Sequence, residues 1–154
     1  MFLCQTKVTA IECESTRGDH LLVAAGAIIP LFHFEKWSYP NIKEVLLFPA
    51  AFNEDFDFTD PQGRITGMVG NGSLSNKMIL SLPALRLGFN NAKDKKNVAI
   101  HEFIHLIDMA DGQVDGIPAL LLNNGSHEPW VSLIQEKIRE IDFKKSDITK
   151  SQKT

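Results

Sequence analysis

His101 and His105 stand four residues apart in the segment VAIHEFIHLIDMADG (residues 98–112), and Glu102 directly follows the first of them. On an α-helix this spacing puts both imidazoles on the same face, one turn apart. Glu102 then lies about 100° around from His101, at the margin of that face. The pattern is H-E-x-x-H: two nitrogen donors for one ion, with a carboxylate beside its open coordination position. Zinc held there polarises a bound water, Glu102 takes the proton, and the same carboxylate can pass it to a leaving amine. Peptide-bond hydrolysis needs all of these steps.

Ionisable groups in an apolar segment are costly unless something compensates them. Val98, Ile100, Phe103, Ile104, Leu106, Ile107 and Met109 cover the rest of the helix, which is therefore predicted to be buried nearly all round. The polar groups collect in one stripe of His101, His105 and Asp108, flanked by Glu102. Asp108 follows His101 by two turns and is placed to accept a hydrogen bond from the free ring nitrogen of a ligand histidine, fixing its tautomer. The competing reading is a pair of satisfied core histidines without an ion. The clean polar stripe on an apolar helix favours the metal. Histidine and carboxylate donors also accept divalent ions other than zinc.

The elements that must position this helix read as a mixture of helices and strands without regular alternation, which predicts an α+β fold. Asp19 to about Lys36 is long and apolar, a buried helix with Asp19 as N-cap and Pro30 as a kink or stop. Glu44–Phe48 reads as a buried strand stopped by Pro49, and Lys77–Leu82 as a strand ended by Pro83. Between them, AFNEDFDFTDPQGR is an exposed acidic and aromatic loop, and GMVGNGS is a glycine-rich turn. That turn lacks the lysine and following helix of a phosphate loop. The central helix runs from about Lys93 to Ala110, with Gly112 as its stop. Ser126 caps a last helix in which Trp130, Leu133, Ile134, Ile138 and Ile141 repeat at helical spacing, followed by a polar end rich in lysine. Trp37 and Trp130 read as packing residues, and His20 and His33 as isolated structural or surface groups.

With 154 residues, 44% hydrophobic and 23% charged, the chain is expected to form one globular domain, 1–154. A net charge of −3 leaves no basic footprint for nucleic acid. The longest apolar run, LLVAAGAIIPLF, is too short to span a bilayer, and no signal peptide is visible at the start. Cys4 and Cys13 are read as free thiols, which places the protein in the cytoplasm with no membrane partner. The NGS triplets at Asn71 and Asn124 carry no glycosylation meaning there.

HEFIHLIDMADGQVDGIP, from His101 to Pro118, resembles the active-site segment of the MtfA (Mlc titration factor A) zinc peptidases, relatives of the anthrax lethal factor catalytic domain. The motif H-E-F-x-H-x-x-D-x-x-D-G is far more specific than H-E-x-x-H, and weaker agreement extends through LLFPAAF, MILSLPAL and Trp130. The resemblance implies a zincin-like fold and a gluzincin site with His101 and His105 as ligands and Glu102 as general base. It also implies that an extended peptide lies along a strand edge at Met78, Ile79, Leu80 and Ser81. Relatives supply a third ligand, a later glutamate, and a tyrosine nearby. The expected position of both falls after Thr154, so the chain reads as C-terminally incomplete relative to the family. Glu128, Glu136, Glu140 and His127 are local substitutes, each read more simply as a solvated helix face, and Tyr39 lies too far upstream for the tyrosine's role. A protein partner such as a transcriptional repressor is implied by the founding member. The alternative function is a non-catalytic or truncated relative that serves as a protein-binding module.

Overall fold

The computed structural model describes residues 2–32, 38–70, 72–91 and 96–112. The expected helix after Ser126, Trp37, Trp130, His33, the local third-ligand candidates and the lysine-rich end lie outside the described residues.

The first helix, α1 (Arg17–Ile28), is capped by Thr16, not by Asp19. Thr16 Oγ1 accepts from the Asp19 backbone N–H at 3.2 Å, and the Thr16 N–H donates to Asp19 Oδ2 at 2.7 Å. This reciprocal capping box satisfies donors that the first helical turn leaves open. The helix stops well short of the expected Lys36. It passes into a 3-10 turn at Ile29–Leu31, where Pro30 has no N–H for a helical bond and its ring crowds the preceding turn.

Four strands form one sheet in the order β1-β2-β4-β3: β1 (Lys7–Ala10), β2 (Glu44–Phe48), β3 (Gly67–Val69) and β4 (Lys77–Ser81). The pairs β1–β2 and β2–β4 are parallel, while β3 is antiparallel to β4. The α+β expectation holds, and β2 and β4 fall where their apolar runs predicted. Two strands were not expected. β1 is short and only partly buried, and β3 lies in the stretch read as a turn because its glycines hide the alternation of a strand.

Period-two alternation sorts the central strands onto two faces. Val45 and Leu47 stand beside Met78 and Leu80 in a core with Val23, Ala27, Leu85, Ala99, Phe103 and Leu106. Phe48 and Ile79 join Phe52 and Leu74 in a second cluster, with Leu46, Phe56, Phe58, Ile65 and Met68 packed against it. The aromatic residues of the 51–64 loop are thus turned inward, while Asn53 Oδ1 organises its acidic rim by accepting the Asp55 and Asp57 amides at 3.0 Å.

Pro83 does end the strand, but the chain turns directly into a second helix, α2 (Leu82–Asn90). Proline is favoured in a first helical turn because the missing N–H would have no partner there. Arg86 on α2 clamps Asp19 on α1 through two bonds, Nε to Oδ1 at 2.7 Å and Nη2 to Oδ2 at 2.8 Å. The third helix, α3 (Val98–Asp108), begins at Asn97, whose side chain accepts from the Ile100 N–H, and closes through a 3-10 turn on left-handed Gly112. It crosses α1 at close range: a Cβ on Gly26 would stand 2.6 Å from the Ala99 Cβ.

Burial of α3 is narrower than its composition predicted. Ala99, Glu102, Phe103, Leu106, Ile107 and Asp108 are buried, whereas His101 is exposed and Ile104 is 51% exposed. One side packs on α1 and the sheet, and the other borders a groove.

Candidate active site

The sequence-predicted residues His101, Glu102 and His105 all lie on α3. His101 Nε2 and His105 Nε2 are 3.1 Å apart, with the rings at 89° to each other. Two nitrogens bound to one tetrahedral zinc at about 2.0–2.1 Å are about 3.3 Å apart, so the observed spacing fits two ligands of one ion. Partial burial, then the neighbouring His105 charge, lowers the pKa of His101, which favours the neutral imidazole that a metal needs.

Glu102 is 6% exposed. Burial raises its pKa from 4.5 to about 7, and the Val69 backbone N–H, directed at the carboxylate, opposes that shift. No side-chain cation accompanies it among the described ion pairs. His101 and Glu102 line a groove of about 760 Å3 between residues 65–67 at the start of β3, α2 at Ala84, Leu87 and Gly88, and the first turns of α3. Leu87, 62% exposed, and Ile104 give that groove apolar walls.

Asp108 is buried, but its Oδ1 has no hydrogen-bond partner and no bond joins it to either histidine. Near the same helix end, Asn41 Nδ2 donates to the Leu106 carbonyl at 2.8 Å. Two turns of spacing put Asp108 on the same stripe, yet no hydrogen bond joins its carboxylate to either ring.

Met78, Ile79, Leu80 and Ser81 require a correction. They form the interior strand β4, paired with β2 on one side and β3 on the other, and all four are buried. Their backbone groups are already spent, so a peptide cannot add there. Among the described residues, the edge strand beside α3 is β3. Sequence reasoning missed it, and the available signal was the Val69 and Met68 pair inside the glycine-rich stretch. Tyr39 is also remote from the site: its hydroxyl donates to the Ala27 carbonyl at 2.7 Å and its ring packs on Phe103.

Among the described residues, no group of three His, Cys, Asp or Glu could hold a metal ion, and no helix is long and apolar enough to cross a membrane. The pair His101 and His105 supplies two donors.

Converging imidazoles beside a desolvated carboxylate at the end of a groove are the ingredients of a metal-dependent hydrolase. The chain belongs to the family described as glucose-regulated metallo-peptidase M90, which matches residues 1–152. The resemblance carried by residues 101–118 therefore holds at the level of the family, and membership supports metal-dependent peptidase chemistry. The chain is also similar to the uncharacterized protein slr2042 of Synechocystis sp. (strain ATCC 27184 / PCC 6803 / Kazusa), with 27% identity over 127 residues. That match covers 79% of this chain and 46% of the relative, so the chain spans about half the relative's length. No solved structure matches.

Proposed function

We propose that this chain is the peptidase part of a zinc-dependent enzyme of gluzincin type and zincin-like fold, with His101 and His105 as ligands and Glu102 as general base. The observation that carries the reading is the 3.1 Å approach of the two Nε2 atoms next to a carboxylate that burial holds near neutrality. With protons on Nδ1, both Nε2 lone pairs can turn to one ion. Zinc at that position would supply Lewis acidity, making a water acidic enough to ionise near neutral pH. Glu102 accepts that proton and returns it to the leaving amine, tasks matched to a pKa of about 7.

The substrate is an extended peptide added to β3. The Ser81 N–H donates to the Thr66 carbonyl at 2.8 Å, so in antiparallel alternation Thr66 and Met68 turn their backbone groups to β4. Gly67 and the Val69 carbonyl turn outward, toward the edge that no strand among the described residues covers, where strand addition can use them, while the Val69 N–H is directed at Glu102. Zinc needs at least one protein donor beyond the two histidines, and among the described residues none stands with them. The free Cys4 and Cys13 support a reducing, cytoplasmic setting.

Zinc titrated into the metal-free chain at pH 7.5, with His101→Ala as control, tests the site. Tight one-to-one binding that the variant loses is expected, together with hydrolysis of unfolded casein by the loaded protein. Weak binding unaffected by His101→Ala would instead support the second reading, a non-catalytic module whose partner is a protein such as a transcriptional regulator.

A further inference from the structure

The stretch read from sequence as a bare glycine-rich turn lies directly against Glu102. A Cβ placed on Gly67 would stand 2.8 Å from both Glu102 Cγ and Glu102 Oε1, and 2.5 Å from Val98 Cγ2. The volume that a side chain at position 67 would fill is therefore taken by Val98 and by the carboxylate arm of Glu102. Two residues on, the Val69 N–H is aimed at the same carboxylate. Its backbone is free to do so because the register leaves Val69 in a pair whose backbone groups face away from β4. Gly67 is not in a left-handed conformation, so backbone freedom does not explain the glycine. Close approach does.

We propose that Gly67 is a positioning residue for Glu102: its missing side chain forms the seat in which the edge strand holds the carboxylate, with the Val69 amide setting its direction. The inference rests on the reading of Glu102 as general base. It adds that β3 has two tasks, presenting an edge to the peptide and aiming the base. A helix alone leaves a glutamate several rotamers, and filling the groove with substrate cannot select among them without a fixed wall. Catalysis is sensitive to that choice, since displacement of a reacting group by about 1 Å can cost about 100-fold in rate.

The test uses the full chain loaded with zinc. Gly67→Ala is made in a Val98→Ala background, which removes the clash with Val98 Cγ2 and leaves Glu102 as the obstacle, and Val98→Ala alone is the reference. Zinc affinity is expected to stay at the reference value while kcat on casein falls about 100-fold with KM little changed. The Val69 amide proton, read by 15N-edited NMR, is expected to move upfield in the double variant. It should do the same in Glu102→Ala, where β3 is otherwise intact. A Val69 resonance indifferent to both changes, or a kcat equal to that of the reference, would overturn the proposal. If zinc-loaded wild-type chain hydrolyses nothing, the peptidase reading falls. The Val69 response to Glu102→Ala still decides whether the carboxylate sits in the Gly67 seat.

Discussion

Asp19 and Glu102 are both carboxylates almost closed off from water, 3% and 6% exposed, and their surroundings treat them in opposite ways. Asp19 receives two bonds from Arg86, one from the Thr16 amide and one from the Thr16 hydroxyl. The Arg86 bonds, with the Thr16 bonds added, outweigh burial and hold its pKa well below the usual carboxylate range. Glu102 has only the Val69 amide against desolvation, and its pKa rises to about 7. One region uses a buried charge as a pin between α1 and α2. The other keeps a buried carboxylate undercompensated, in the state suited to moving a proton.

The largest effect that sharpens the contrast is on activity. Glu102→Gln keeps the shape of the side chain but cannot accept a proton, so casein hydrolysis by the zinc-loaded chain should fall by about 10²–10⁴-fold with zinc affinity retained. A variant that turns over at the wild-type rate would remove Glu102 from the mechanism. The corresponding change at Asp19 should read out in stability instead. Asp19→Ala strips α1 of its capping box and leaves Arg86 without its partner, at a cost of about 2 kcal/mol in urea unfolding. Its effect on kcat should be small, because the pair lies at the α1–α2 contact, away from the His101–Glu102 stripe.

A subtler separation comes from pH in the metal-free protein. The folded pKa of Asp19 is lower than its unfolded value of 3.8, so its contribution is complete above that pH and lost as pH falls below it. Glu102 runs the other way. Its folded pKa of about 7 exceeds the unfolded 4.5, so stability is highest below 4.5 and declines as pH rises toward 7. Urea unfolding across pH 3–8 should show the acid loss disappear in Asp19→Asn and the decline between 4.5 and 7 disappear in Glu102→Gln. If both substitutions flattened the same limb, the two carboxylates would not differ as described.

Smallest is the effect of Gly26→Ala, which overpacks the crossing of α1 on α3 by setting a Cβ 2.6 Å from Ala99. Thermal unfolding should register a destabilisation of about 1–2 kcal/mol, and zinc affinity should change less than in His101→Ala.

Much of the chemistry was legible because it is local. A spacing of four residues fixes the relative direction of two side chains on a helix wherever that helix sits, and so His101, Glu102 and His105 could be paired from sequence. The runs EVLLF and KMILSL declared buried strands for a similarly local reason: strands covered on both faces are apolar throughout. Asp108 fails the same logic, since sharing a helical stripe does not bring its carboxylate to a ring. β1, β3 and α2 were missed where short length, glycine, or a proline with two local meanings hid the pattern. Pro83 ends a strand and starts a helix at once.

The shared helical stripe of His101, Glu102 and His105, the apolar central strands and the α+β class were readable from residues alone, because each follows from periodicity within a few residues. Long-range packing settled which strand lies at the sheet edge beside α3 among the described residues and which residue meets Glu102. Gly67 is 35 residues from Glu102 along the chain, and their meeting depends on β3 pairing antiparallel with β4 while α3 packs across the same end of the sheet. Strand order and close backbone approach are set by long-range packing and excluded volume, which no short window of residues encodes.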